Sequence, residues 1–210
     1  MPADPRMLEL MSYYRDAELH GAMLLLRLMR MMSDDSEAQV KLTKHVAEEA
    51  RHAWLWTRRM TELGGAPIKI ASGYQTRLGT RTTPRTLADL LALTVVVEER
   101  SLERYQEHAV RPDVDAATRR VLESVARDER WHIAWIKKKL DELTAADSAV
   151  CERVAMMMEH YRKIDREVYA ELRAREDEVF GASAWTRDVP SGSAVCRPPV
   201  GGGRGPRTVA

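Results

Sequence analysis

The sequence predicts an all-α protein made of two helical hairpins, a long crossover between them and a fifth helix at the carboxyl end. Five segments repeat apolar residues at helical spacing, and helix start and stop signals bound each of them. Strand-like alternation of apolar and polar residues is nearly absent. One segment of the 210-residue chain, residues 64–85, shows no strong periodicity. Its four glycines and two prolines predict an extended connection long enough to cross a bundle.

The first predicted hairpin covers residues 5–32 and a second helix that runs from Ser36 to the stop at Gly64-Gly65. Asp4-Pro5 is typical of a helix start, and residues 36–39 have the form of a capping box. Apolar residues lie on one face of each helix, which predicts that the two helices pack together. The inner positions are Met11, Tyr14, Ala22, Leu25, Met29 and Met32 in the first helix, and Leu42, Val46, Ala53, Trp56, Met60 and Leu63 in the second.

The second predicted hairpin begins at Thr83-Pro84 or Thr86, turns at Pro112 and continues after Asp113 or Asp115. A fifth helix is expected over about residues 147–180. The bundle domain therefore covers residues 1–180, and the Ser, Pro, Gly and Arg content of residues 181–210 predicts a disordered tail. The inner positions are Leu87, Leu91, Val95, Leu102, Tyr105 and Ala109 in the third helix, Leu122, Val125, Ile136, Leu140 and Leu143 in the fourth, and Val150, Val154, Met157, Tyr161, Ile164, Val168 and Leu172 in the fifth.

Overall composition excludes several classes of protein. The 33 Lys and Arg residues nearly balance the 32 Asp and Glu residues, and the formal net charge of +1 gives no general attraction to nucleic acid or anionic lipid. The longest uncharged runs, such as residues 90–97, are much shorter than the roughly 18 apolar residues of a membrane span. Charges interrupt the Met- and Leu-rich amino-terminal segment, and the two cysteines lie too far apart for a CxxC motif. We therefore expect a cytoplasmic protein without a membrane segment.

Each of the four bundle helices carries a glutamate within its apolar face: Glu18, Glu49, Glu98 and Glu129. Burial of one unpaired carboxylate costs several kcal/mol, and four in one core would not be tolerated as free anions. Two divalent cations would balance the four negative charges. The pattern therefore predicts a two-metal site inside the bundle.

Two histidines complete the predicted ligand set, because residues three apart lie on the same helical face. His52 follows Glu49, and His132 follows Glu129, at this spacing. The two hairpins also repeat one another, since 31 residues separate the first and second glutamates and 31 separate the third and fourth. Carboxylate and imidazole ligands with open positions favour iron or manganese over structural zinc.

Two segments resemble a known family. Residues 49–52, EARH, and residues 97–105, VEERSLERY, are similar to the EARH and EARSxERF segments of tRNA-modifying di-iron hydroxylases in the ferritin-like superfamily. The order Glu, Glu-x-x-His, Glu, Glu-x-x-His over about residues 8–140 is shared with bacterioferritin, rubrerythrin and manganese catalase. This resemblance implies a ferritin-like four-helix bundle that binds two iron ions, or two manganese ions. By the resemblance, Glu49 and Glu129 bridge the metals, His52 and His132 each bind one, and Glu18 and Glu98 are terminal ligands.

The ligand pattern and the resemblance together predict a non-haem di-iron oxygenase or oxidase. Dioxygen is the expected co-substrate, an organic small molecule the substrate and a separate reductase the electron donor. The expected assembly is a monomer or a homodimer rather than a cage.

Three alternatives to this function remain open: a ferroxidase or iron-storage protein, a di-manganese enzyme that removes peroxide, and a tRNA-modifying hydroxylase. Charge disfavours a tRNA partner, since residues 187–210 carry a net charge of +3 and leave about −2 on the body of the chain. The sequence lacks a rubredoxin-like cysteine cluster, which disfavours a self-contained rubrerythrin peroxidase.

Three residues near the predicted ligands are candidates to hydrogen-bond them. Tyr14, His45 and Tyr105 each lie one or two turns from a predicted ligand. Ordinary core packing is the commoner role for residues of these types in a bundle. Both roles therefore stay open for each of the three residues.

The third helix offers more than one acidic residue. Glu98 shares the inner face of its helix and is preferred to Glu99 as the metal ligand. Glu103 is either an additional ligand or a surface charge. A bundle whose inward Glu and His residues form only a buried ion network is the structural alternative, and the few scattered arginines disfavour it.

Overall fold

The computed structural model describes residues 4–180, with side chains as far as residue 174. Within that range it contains six α-helices and no strand, so the predicted all-α class is confirmed. The predicted tail, residues 181–210, lies outside the described residues. The helices are α1 (Pro5–Met31), α2 (Ser36–Glu62), α3 (Tyr74–Arg81), α4 (Leu87–Ala109), α5 (Ala116–Ala146) and α6 (Ser148–Phe180).

The helices pair as the sequence predicts. α1 packs mainly against α2, and α4 packs mainly against α5, which forms the two hairpins. α6 packs across α4 and α5 and also contacts α3. Because α6 covers the outer side of α4, residues 88–98 of α4 are buried on every side. None of the helices in the described range is long and apolar enough to cross a membrane.

The start of α2 differs by one residue from the predicted capping box. Asp35, and not Ser36, is the N-cap, because its carboxylate accepts a hydrogen bond of 2.9 Å from the backbone N–H of Ala38. A negative side chain at this position also interacts favourably with the partial positive charge of the helix start. The N-caps of α1, α4 and α5 are residues named from the sequence, namely Asp4, Thr86 and Asp115.

The crossover contains a short helix, α3, so the prediction of an extended connection throughout residues 64–85 is wrong in this part. Only Tyr74 and Leu78 of α3 are buried, and two positions one turn apart are too few to give a periodic signal. Contacts with α6 hold the helix, since the Tyr74 hydroxyl donates a hydrogen bond of 2.8 Å to Asp165 Oδ1.

The apolar core consists of two clusters, one on each side of a buried polar layer. Along α1 and α5 the chain passes from the Tyr14 cluster through the polar layer to the Leu25 cluster, and along α2 and α4 it passes in the opposite direction. The glutamate of each bundle helix lies at the crossing point. The Tyr14 cluster comprises Met11, Tyr14, Trp56, Met60, Tyr105, Val114, Val121, Leu122, Val125 and Ala126. The larger Leu25 cluster includes Leu25, Leu28, Leu42, Leu91, Val95, Ile136, Leu140, Val154 and Tyr161.

Candidate metal centre

The polar layer brings together all six residues predicted as ligands. Their carboxylate and imidazole atoms, together with the imidazole of His45, form two groups, and within each group the ligand atoms lie within 4.8 Å of one another. Every member is buried, and Glu49 belongs to both groups. One group comprises Glu18, Glu49, His52 and Glu129, and the other comprises His45, Glu49, Glu98 and His132.

Both predicted histidine ligands turn Nδ1 toward the carboxylates. His52 Nδ1 lies 3.3 Å from Glu18 Oε2 and 3.7 Å from Glu129 Oε1. His132 Nδ1 lies 3.1 Å from Glu129 Oε2 and 3.4 Å from Glu49 Oε1. Glu129 therefore lies close to both imidazoles. A carboxylate that binds two metal ions has to lie in such a position.

The outer nitrogen of each imidazole meets a carboxylate from the other hairpin. His52 Nε2 lies 3.1 Å from Asp128 Oδ2, and His132 Nε2 lies 3.1 Å from Glu48 Oε2. Each of these carboxylates can accept a hydrogen bond from Nε2–H, which would leave the Nδ1 lone pair for a metal ion in the layer. Arg51 Nη2 also lies 3.3 Å from His52 Nε2 and contacts Asp128 Oδ2. Burial lowers the pKa of His52, but Glu18 and Asp128 outweigh burial and leave that pKa raised.

Charge repulsion and burial both act on the carboxyls of the layer. Burial raises the pKa of Glu49 well above its usual value, and the carboxylates of Glu18 and Glu98 raise it further. The pKa of Glu129 is raised well above its usual value by burial and by Glu98. Burial lowers the pKa of His132 to about 2, which keeps its imidazole neutral. Glu49, Glu129 and His132 thus favour their neutral forms. Burial also raises the pKa of Glu98, but the neighbouring His45 outweighs burial and lowers that pKa to about 2. A bound cation would stabilise the ionised forms of Glu49 and Glu129.

Two further observations show that the layer fits metal ions. Glu49 Oε1 is buried and has no hydrogen-bond partner within the described part of the chain. Gly21, one turn after Glu18 on α1, leaves the space that Glu49 occupies, since a Cβ atom at this position would collide with Glu49 Oε2. A donor set of carboxylates and neutral imidazoles suits iron or manganese. The residues therefore fit two divalent cations.

The three predicted neighbours of the ligands take different places. The Tyr105 hydroxyl donates a hydrogen bond to Glu18 Oε1, and burial together with Glu18 raises its pKa well above the usual value. His45 is fully buried against the Glu98 side of the layer. Tyr14 forms no hydrogen bond with the layer, and its ring packs on Trp56 and Tyr105 with centroid distances of 4.9 Å in both cases.

The remaining acidic residues of α4 lie outside the two ligand groups. Glu99 pairs with Lys137 at 2.6 Å and with Arg162 at 3.2 Å. Glu103 contacts Arg100 and is not close to the ligand atoms named above. Of the three, only Glu98 faces the layer.

The structure reveals functional positions that sequence reasoning missed or left undecided. Asp128 and Glu48 each precede an inward glutamate and contact a histidine of the opposite hairpin. Gly21 and Trp135 were not singled out at all. A glycine in a helix interior costs about 1 kcal/mol relative to alanine, and this cost was the available signal for Gly21. The contact between Trp135 and His45 has no sequence signal, because it joins residues 90 positions apart.

Comparison with known proteins supports the fold. No protein-family model matches the chain, and no curated protein matches it. A solved structure of a protein with aldehyde deformylating oxidase activity from Synechococcus is similar, with a TM-score of 0.56 and 16% sequence identity. The similarity covers 86% of this chain and 93% of that chain, and at this identity it bears on the fold alone. The chain therefore has a ferritin-like helical-bundle fold, and its buried glutamate and histidine groups could hold metal ions.

Proposed function

We propose that this chain is a non-haem di-iron oxidoreductase that uses dioxygen to oxidise an organic small molecule. The observation that carries the proposal is the pair of buried ligand groups that share Glu49. Four carboxylates balance the charge of two divalent cations, and neutral imidazoles complete the set without adding charge. When bound, two ferrous ions would supply electrons for the reduction of dioxygen. The aldehyde deformylating oxidase activity of the Synechococcus protein supports this class of reaction.

Each ligand has a proposed place. Glu49 and Glu129 would lie between the two ions, because Glu49 belongs to both ligand groups and Glu129 lies within 3.7 Å of both His52 and His132. His52 would share one ion with Glu18, from which its Nδ1 lies 3.3 Å. His132 would share the other ion with Glu98.

The two apolar clusters would exclude water from the layer, and the Tyr14 cluster gives the substrate a proposed place. An apolar cavity at the end of this cluster is lined by Met7, Met11, Tyr14, Trp56 and other side chains. Its Tyr14 wall contacts Tyr105, which is hydrogen-bonded to Glu18 in the layer. Methionines adapt easily to the shape of a ligand. The cavity has room for only about one water molecule, so these side chains would have to move apart to admit a largely apolar organic substrate.

A direct test is metal content. We expect about two iron atoms per chain after loading under anaerobic conditions. The Glu49→Ala variant should lose stoichiometric iron, whereas the His160→Ala control, which changes an exposed residue of α6, should retain it. Equal iron content in both variants would overturn the ligand assignment, and manganese as the bound metal of the purified protein would favour a di-manganese enzyme.

Two further measurements separate the remaining alternatives. Addition of dioxygen to the reduced protein should change its optical spectrum, and an external reductase should restore the reduced state. Size-exclusion mass should indicate a monomer or a homodimer, whereas an assembly near 24 subunits would favour iron storage. Strong tRNA binding with a steep salt dependence would favour a tRNA-modifying hydroxylase.

A further inference from the structure

His45 lies in the Glu98 half of the layer and offers a possible third histidine nitrogen to the metals. It is fully buried on α2, one turn before Glu49. Its Nε2 atom lies 3.3 Å from Glu98 Oε1 and 3.4 Å from Glu49 Oε1. Its ring stacks on His132 with a centroid distance of 3.5 Å. Position alone would therefore allow His45 to bind a metal through Nε2.

The partner of the other ring nitrogen of His45, Nδ1, rules out metal binding through Nε2. The indole Nε1–H of Trp135 lies 3.2 Å from His45 Nδ1. Indole nitrogen is only a donor, so Nδ1 must accept this hydrogen bond and cannot carry a proton. A neutral imidazole then carries its proton on Nε2, the atom that faces Glu98 and Glu49. A nitrogen that carries a proton has no lone pair for a metal.

The two predicted histidine ligands have the opposite arrangement. The outer nitrogens of His52 and His132 each lie 3.1 Å from a carboxylate, which can accept a hydrogen bond from Nε2–H and leave the inner nitrogen free to coordinate. Arg51 Nη2 also lies near His52 Nε2, at the longer distance of 3.3 Å. The outer nitrogen of His45 meets a donor instead. A carboxylate at the outer nitrogen therefore distinguishes His52 and His132 from His45, whose outer nitrogen contacts the indole donor.

We infer that His45 is a positioning residue rather than a metal ligand, and that Trp135 holds it in the tautomer that presents Nε2–H to Glu98 and Glu49. This inference rests on the proposed metal centre. It makes the two halves of the centre unequal, because Tyr105 donates from a hydroxyl to Glu18 while His45 presents an imidazole N–H to Glu98. Substitutions of His45 or Trp135 should therefore affect binding of the ion on the Glu98 side.

The first arm of the test reads the tautomer in the metal-free chain. Nitrogen-15 NMR of labelled histidine distinguishes a proton on Nε2 from one on Nδ1, and the His45 signal is the one lost in the His45→Gln variant. We expect the Nε2–H form in the unaltered chain and a mixture of both forms in Trp135→Phe, which lacks the indole donor. Trp131→Phe is the matched control, because the Trp131 ring contacts His45 at a centroid distance of 6.1 Å and the described structure contains no hydrogen bond between them.

The second arm counts histidine nitrogens bound to iron, by pulsed electron paramagnetic resonance of the half-reduced iron-loaded chain. Two coordinated histidines are expected in the unaltered chain, in Trp131→Phe and in His45→Gln, and three in Trp135→Phe. His45→Leu, which removes the donor, should weaken iron binding by about 10-fold, and His45→Gln should largely restore it.

Several outcomes would contradict the role inferred for His45 and Trp135. Three coordinated histidines in the unaltered chain, or an Nδ1–H tautomer of His45 before metal is added, would overturn the inference. Two coordinated histidines in a folded Trp135→Phe variant would also contradict it. An unaltered chain that shows the Nε2–H tautomer but binds no iron would contradict the proposed function and leave the role of Trp135 intact.

Discussion

Glu48 Oε2 lies 3.1 Å from His132 Nε2, although 84 positions separate the two residues along the chain. Asp128 makes the equivalent contact with His52, also at 3.1 Å. Each hairpin thus supplies a carboxylate that orients the histidine of the other hairpin. The orientation of the two imidazoles therefore depends on the packing of both hairpins, and not on either Glu-x-x-His motif alone.

Removal of either orienting carboxylate should weaken metal binding on one side of the centre. In Glu48→Ala, His132 loses the acceptor that holds its proton on Nε2, so its Nδ1 lone pair is no longer directed at the layer. We expect iron affinity to fall by about 10-fold to 100-fold at one of the two metal positions, measured by anaerobic titration calorimetry. Glu142→Ala, which changes an acidic residue of α5 that pairs with Lys138 and Lys139, is the control and should bind iron normally. Unchanged binding in Glu48→Ala would show that the contact has no orienting role.

Gly21→Ala should reduce metal content although alanine is the better helix former. The added Cβ atom would collide with Glu49 Oε2, and the shared carboxylate would have to move. Metal analysis should show less than stoichiometric iron while circular dichroism shows full helix content. Gly79→Ala on α3 is the matched control, because an added Cβ there meets no atom within 4 Å. That variant should retain its iron and gain up to about 1 kcal/mol of stability.

The positions of residues around each helix were sufficient to identify the buried glutamates. Glu98, for example, lies on the same helical face as Leu91 and Tyr105, so it must face the core. Phase also separated Glu98 from Glu99, which the structure places against Lys137 and Arg162. The same reasoning missed α3. A two-turn helix held by Tyr74 and Asp165 depends on a tertiary contact that local periodicity does not report.

Hydrogen-bond direction was beyond the reach of sequence reasoning for a different reason. His45 and His132 have similar burial and lie side by side, and yet one meets the donor Trp135 and the other meets the acceptor Glu48. Helical phase predicts which side chains face the layer. It does not predict which atoms of the partner hairpin reach the far side of each ring, since that depends on how the two hairpins pack.

Stability should decrease on mild acidification because of His108. Burial lowers the pKa of this imidazole to about 3, and the charge of Arg111 contributes. The unfolded chain binds a proton to this residue below about pH 6.5, while the folded chain does not until about pH 3, so folding is disfavoured as the pH falls through this range. At pH 5 the loss is on the order of 2 kcal/mol. Urea unfolding at pH 7 and pH 5 should show a smaller decrease for His108→Gln than for the unaltered chain, and equal decreases would contradict this origin.

The two tyrosines beside the layer should respond differently to loss of their hydroxyls. Tyr105→Phe removes the donor to Glu18 Oε1, so this carboxylate loses its orienting partner, and iron affinity should fall by about 10-fold. Tyr14→Phe removes a buried hydroxyl that has no hydrogen-bond partner in the described structure, so iron affinity should not change. Loss of that unsatisfied group should also raise the free energy of unfolding by about 1 kcal/mol. Calorimetric iron titration and urea unfolding of both variants check these outcomes. Equal iron affinities in the two variants would mean that the Tyr105 hydroxyl does not orient Glu18.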